Sequence, residues 1–102
     1  MDIVLSKNGV PIRLTEERWF HIIENHDDLA GHYDDVLYAI EDPDYIIAGY
    51  RRAQIALKKI TRTKFLAVVY REISRVDGFV ITAYFTSKFD LEKEVISWQK
   101  KS

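Results

Sequence analysis

The 102-residue chain has no cysteine, so it can build neither a disulfide framework nor a thiolate metal centre, and a reducing compartment suits it. It lacks any apolar run approaching the roughly 18 residues that a membrane helix needs. Its opening, Met1-Asp2-Ile3-Val4-Leu5-Ser6-Lys7, has no basic stretch followed by an apolar one, as a secretory leader would. The expectation is a soluble cytoplasmic protein with no membrane partner. Glycine and proline are scarce, at four and two, and no linker, repeat or low-complexity segment is visible. No Gly-rich phosphate loop, nucleophile elbow or carboxylate cluster with metal spacing occurs, so neither a cofactor nor a metal is expected. Asp27-Asp28 and Asp34-Asp35 read as a solvated acidic helix face.

What is present is a composition of 47% hydrophobic and 30% charged residues, enough to bury one core in a single domain spanning 1-102. The net charge of −1 conceals a segregation along the chain. Glu24 to Asp44 carries eight acidic residues and no Lys or Arg, whereas Arg51 to Arg71 carries seven basic residues and no Asp or Glu. If folding preserves that division, one surface attracts a polyanion and another suits a basic partner.

Hydrophobic periodicity divides the chain into a helical first part and a β second part. Ile3-Val4-Leu5 and Val10 to Leu14 flank Lys7-Asn8-Gly9, and Asn-Gly is a strong hairpin signal, with Pro11 demanding an edge position. Thr15 supplies an N-cap, and Glu16 and Glu17 suit the positive end of a helix dipole. Trp19, Ile22 and Ile23 give the apolar stripe of a helix running to about His26. Tyr33, Val36, Leu37 and Ile40 give a second helix, closed by Asp42-Pro43. Strands follow at Tyr45–Tyr50, Ala53–Ile60, Phe65–Glu72 and Phe79–Ser87, forming a four-stranded antiparallel meander. The predicted fold is α+β, with two N-terminal helices packed on one face of that C-terminal sheet. Leu91 to Trp98 reads equally as a terminal strand or a helical turn.

Strand alternation places Phe79, Ile81, Ala83 and Phe85 toward the helices and Val80, Thr82, Tyr84 and Thr86 on the other face, as a ladder of hydroxyls able to bond phosphate or ribose. Tyr70 falls with Leu66 and Val68, and Lys58 with Gln54 and Ala56, so a cation can share a face with hydroxyls. Lys58 would then be a fixed charge for a phosphate, with Arg51, Arg52, Lys59 and Arg62 extending an electrostatic track and Lys59 on its rim. Tyr70 and Tyr84 are candidate stacking platforms for bases.

Histidine alone has an ordinary pKa suited to proton transfer at neutral pH. His21 and His26 are about 140° apart around an ideal helix, which is not the i, i+4 pair of a zinc helix. His26 lies near the helix C-terminus, whose dipole attracts a cation, while His32 reads as a loop residue.

The run Arg13-Leu-Thr-Glu-Glu-Arg-Trp-Phe-His-Ile-Ile-Glu-Asn-His26, then Tyr33-Asp-Asp-Val, Ile40-Glu-Asp-Pro-Asp44 and Gly78-Phe-Val-Ile-Thr-Ala-Tyr-Phe-Thr-Ser87, resembles the PBECR family, the phage-associated branch of the barnase-EndoU-colicin-RelE-like (BECR) nuclease fold. Asp27 stands where many relatives carry proline. The resemblance covers Arg13 to Ser87. It implies a metal-independent endoribonuclease, acting as a toxin or phage-linked effector, with RNA as substrate and an antitoxin protein as a possible partner. It implies His21, His26, Lys58, Thr82 and Ser87 as the catalytic set. The mechanism expected is 2′-hydroxyl transesterification, with His21 the base and His26 the acid or the two exchanged, and Lys58 and the hydroxyls stabilising the phosphorane. Two other classes stay open: an RNA-binding module without catalysis, and a domain whose basic strands dock a protein.

Overall fold

Apolar alternation and turn chemistry at the N-terminus produce a hairpin, β1 (Asp2–Leu5) and β2 (Pro11–Leu14), paired from Asp2 opposite Leu14 to Leu5 opposite Pro11. Its turn closes through Gly9 N–H to the Ser6 carbonyl at 2.9 Å, and Gly9 takes φ +78°, a conformation other residues rarely hold. These features come from a computed structural model that describes residues 1–101.

Two helices follow. Helix α1 (Glu16–Asn25) is capped by Thr15, whose hydroxyl accepts from the Arg18 N–H at 3.1 Å, and it ends at His26. A single 3₁₀ turn at Asp27–Leu29 leads to α2 (Tyr33–Glu41), which stops at Asp42 ahead of Pro43. The remaining strands are β3 (Tyr45–Ala48), β4 (Gln54–Lys59), β5 (Phe65–Glu72), β6 (Gly78–Thr86) and β7 (Ile96–Gln99).

The predicted antiparallel meander is present as β3 to β6, but it forms the centre of a larger sheet. Seven strands run in the order β1-β2-β6-β5-β4-β3-β7, mixed rather than purely antiparallel. The N-terminal hairpin joins because β2 pairs in parallel with β6 through Ile12 opposite Gly78 and Arg13 opposite Phe79. Only glycine permits this approach: a Cβ at Gly78 would lie 2.5 Å from Ile12 Cδ1 and 2.8 Å from the Arg71 carbonyl oxygen. Pro11 sits outside that short ladder, which is how a strand flanked on both sides accommodates a residue without an N–H. At the opposite edge, the chain from Ser87 to Val95 crosses the sheet and delivers β7 to β3, so part of the undecided segment is a strand.

Both sheet faces are used. The helices bring Ile22, Leu29, Val36, Leu37 and Ile40 onto Leu66, Val68, Tyr70, Val80 and Ala83, with Ile12 and Leu14 completing the main core. On the outer face Ile47, Leu57, Phe65 and Ala67 pack under Phe89 and Leu91 of the crossing segment. Each fully buried aliphatic side chain contributes about 1.5–3 kcal/mol by leaving water.

The predicted alternation of β6 fails at one point. Val69 pairs with Thr82 while Tyr70 pairs with Val80, so Ile81 is a bulge that shifts the phase by one residue. Val80 therefore turns into the helix-side core with Ala83, and Phe79 turns outward, opposite to the expectation for both. Thr82, Tyr84 and Thr86 keep their place on the outer face.

The β3–β4 turn carries backbone strain. Arg51 and Arg52 have φ of +53° and +65°, and the Ala53 N–H donates to the Tyr50 carbonyl at 3.1 Å, the pattern of a type I′ turn. Such turns favour Asn-Gly, and each non-glycine residue held there costs about 1–2 kcal/mol.

Candidate active-site cleft

Beyond Leu14 the chain leaves the sheet, so the edge of β6 from Val80 onward has no strand beside it. Helix α1 runs along this edge, and Arg18 Nη1 donates to the Ile81 carbonyl at 3.3 Å. The bulge thus presents an oxygen that the helix satisfies. His21, one turn further on, is exposed and lines a depression of about 310 Å³ with Thr15, Glu17 and Arg18.

His26 lies elsewhere. Its backbone N–H closes α1 by donating to the Ile22 carbonyl at 2.8 Å, and its ring stands 6.0 Å from the Tyr84 ring, tilted by 35°. The 3₁₀ turn that follows is anchored by the fully buried Leu29. That anchoring sets Asp28 beside the end of β6, where Asp28, Thr61, Thr63, Lys64, Phe85, Thr86 and Ser87 line a cleft of about 480 Å³. The His26–Tyr84 contact joins the two segments that also supply Asp28, two residues after His26, and Phe85, next after Tyr84, to its walls.

The cation in the cleft is Lys64, whose Nζ is 4.5 Å from the centre of the Phe85 ring. It is held at the β4–β5 turn, where the Thr61 hydroxyl accepts the Lys64 N–H at 3.1 Å. His32 meets the same Phe85 edge-on at 5.2 Å and places Nδ1 2.9 Å from Asp35 Oδ2. Burial first, then the charge of Glu94 on the crossing segment, raises the pKa of the Tyr84 phenol, so that it keeps its proton at neutral pH.

The sequence-derived set is therefore divided. Thr86 and Ser87 line the cleft at the end of β6, His26 meets Tyr84 two residues before Thr86 on that strand, and His21 opens onto the separate groove beside Arg18. Thr82 is half-buried on the outer face, opposite Val69 on β5. Lys58 does not share that face. It pairs with Leu66 on the helix side, with Nζ 2.8 Å from the Asp42 carbonyl oxygen, 3.1 Å from Asp42 Oδ2 and 4.8 Å from the Tyr38 ring centre. Only 18% of its side chain is exposed. Side-chain parity alone places it with the helices, because the bulge at Ile81 does not alter the β4 to β5 register.

Tyr70 is fully buried, with its hydroxyl donating to Gln54 Oε1 at 3.1 Å, so it offers no stacking surface. Lys59 is exposed on the outer rim, its N–H bonded to Asp44 Oδ2 at 2.7 Å. Arg51 and Arg52 occupy the opposite end of the strands from the cleft. Lys64, Thr61 and Thr63 went unassigned in the sequence, where Thr61-Arg62-Thr63 registers as a turn with only Arg62 given a place in the electrostatic track, and Asp28 reads as part of a solvated acidic face. Among the described residues, no group of three or more His, Asp or Glu is placed to hold a metal ion. Comparison with known protein families, characterised proteins and solved structures finds no match.

Proposed function

We propose that this protein cleaves RNA without a metal, using the cleft at the end of β6. Two observations carry the proposal: the His26–Tyr84 ring contact, and a cleft lined by one lysine and four hydroxyl side chains where the same strand ends. That arrangement suits a phosphodiester: Lys64 meets its charge, and Thr61, Thr63, Thr86 and Ser87 supply hydrogen bonds.

In the proposed reaction His26 takes the proton of a ribose 2′-hydroxyl, O2′ attacks phosphorus, and the phosphorus–O5′ bond breaks. O5′ receives its proton from the Tyr84 phenol, leaving a 2′,3′-cyclic phosphate and a 5′-hydroxyl. Lys64 stabilises the charge on the pentacoordinate phosphorus. Solvent then returns a proton to Tyr84 and removes one from His26. Tyr84 thus takes the acid role that the sequence reading gave to His26, and Lys64 replaces Lys58. A role as a toxin or phage-linked effector accords with the PBECR resemblance.

A second reading, RNA binding without cleavage, is favoured by the separation of His21 from His26 and by a cleft whose lining residues include no histidine. Incubation of the purified protein with total RNA in excess EDTA, followed by analysis of product ends, separates the two. Cyclic phosphate ends support cleavage, and intact RNA that co-migrates with the protein supports binding alone.

A further inference from the structure

A band of alternating guanidinium and aromatic groups crosses the lower end of the outer face, at the opposite end of the strands from the cleft. Arg13 Cζ lies 5.7 Å from the Phe79 ring centre, Phe79 pairs with Arg71 across β6 and β5, and Arg71 Nη2 donates to the Arg51 carbonyl at 2.8 Å. Arg51 Cζ in turn lies 5.4 Å from the ring centre of Tyr50, which is 81% exposed. Arg71 Nε is buried with no hydrogen-bond partner. The band runs from β2 across β6 and β5 to the β3–β4 turn, and adjacent strands stand about 4.8 Å apart.

Three physical features ask for one explanation. Exposed Tyr50 is a large flat surface in water where hydrophobic burial gives no reason for it. Two consecutive left-handed residues are both arginine, although Asn-Gly would relieve the turn, so the side chains are retained against backbone strain. The bulge at Ile81 rotates Phe79 out of the core and into line with Arg13 and Arg71.

We propose that this band binds single-stranded RNA, with bases stacking on Phe79 and Tyr50 and the backbone phosphates meeting Arg51 and Arg52, while Arg13, ion-paired with Asp77, braces the Phe79 ring. The proposal rests on RNA as the substrate of the cleft and adds where a remote part of the same strand is held. Stacking platforms interleaved with cations favour single strands, whose bases are free to splay, over a duplex whose bases are already stacked.

The probe is a fluorescein-labelled 2′-O-methyl oligouridine decamer, which lacks the nucleophile and so reports binding apart from cleavage. Tyr50→Ala and Phe79→Leu should each weaken binding by about tenfold, the second keeping an apolar side chain of similar bulk while removing the ring. The double variant Arg51→Asn/Arg52→Gly should melt at a higher temperature than the parent yet bind more weakly, with the slope of log K against log salt reduced by about 1.4. A raised melting temperature with unchanged affinity overturns the proposal, as does an acidic decapeptide that competes as well as unlabelled RNA. If the decamer binds through the band but no RNA is cut, the cleavage reading falls and the band stands. If His26-dependent cleavage of a dinucleotide persists while the decamer ignores Phe79 and Tyr50, the band falls alone.

Discussion

Lys58 and Asp42 form a closed pair at the end of α2: one ammonium reaches both the backbone oxygen and the carboxylate of the same residue, at 2.8 and 3.1 Å. Lys100 Nζ meets that carboxylate from the C-terminal side at 3.0 Å, and Tyr38 donates its hydroxyl to it at 3.0 Å. The pair ties helix α2 to strand β4, and Lys100 joins the C-terminal segment to both. Lys58 is thereby committed to holding the fold together.

Hydrogen bonds from Lys100, then Lys58 and Tyr38, hold the Asp42 carboxyl well below the usual carboxylate range. A depressed folded-state pKa contributes stability that is complete above the unfolded value, about 3.9, and is lost as pH falls toward the folded value. Asp42→Asn should lower stability at pH 7 by about 1 kcal/mol, a modest figure because 28% of the side chain is exposed. The difference should shrink below about pH 4. Urea denaturation of both proteins from pH 7 to pH 2.5 measures it, and a pH-independent difference contradicts the assignment.

Lys64 and Lys58 should separate function from stability. Lys64→Ala should lower RNA cleavage by at least about tenfold while leaving the melting temperature within a degree or two. Lys58→Ala should lower the melting temperature and leave cleavage per folded molecule nearly unchanged. Reversal of the two phenotypes would return the phosphate site to the helix-side face.

Tyr84→Phe removes one oxygen atom and keeps the ring against His26. As loss of the general acid, it should reduce cleavage by about 10²–10⁴-fold with little change in fold. Without the acid the 5′-oxygen must leave unprotonated, so the Tyr84→Phe rate should depend more steeply on leaving-group acidity than that of the parent or of His26→Ala. A dinucleotide series with activated leaving groups gives the check, since rescue by a good leaving group marks the acid and an unchanged dependence removes the phenol from the proton path.

Gly78→Ala should destabilise by about 1–3 kcal/mol, because the added carbon meets Ile12 Cδ1 at 2.5 Å and backbone oxygen at 2.8 Å. Hydrogen exchange should speed up first at Ile12 and Arg13, where the hairpin joins β6. Uniform acceleration over the whole sheet would mean that β2 does not depend on this contact.

Local signals carried most of the fold. Thr15 as a cap, Asp42-Pro43 as a stop and the Asn8-Gly9 turn each act within a few residues, and all three stand where the sequence placed them. What depends on partners distant in the chain was not legible. The attachment of β2 to β6 needs Gly78 and Ile12 to meet, and β7 is only four residues long, delivered by a segment whose Phe89 and Leu91 show no strand or helix period. The bulge at Ile81 is invisible to alternation, since every residue around it is a good strand former; it moved Phe79 and Val80 to faces opposite those expected. Histidine spacing set His21 and His26 about 140° apart around the helix, yet the resemblance placed both in one catalytic set; His21 lines the groove beside Arg18, whereas His26 meets Tyr84. Lys64 escaped notice because a turn residue acquires its meaning only when β4 and β5 bring it beside Phe85.

The most direct test of the central claim is the single-turnover cleavage rate of a short single-stranded RNA in EDTA by the parent protein, His26→Ala and His21→Ala. The account predicts cyclic phosphate ends from the parent, a loss of at least about 100-fold in His26→Ala, and a change within about threefold in His21→Ala. No cleavage by the parent, or equal losses in the two histidine variants, would contradict it.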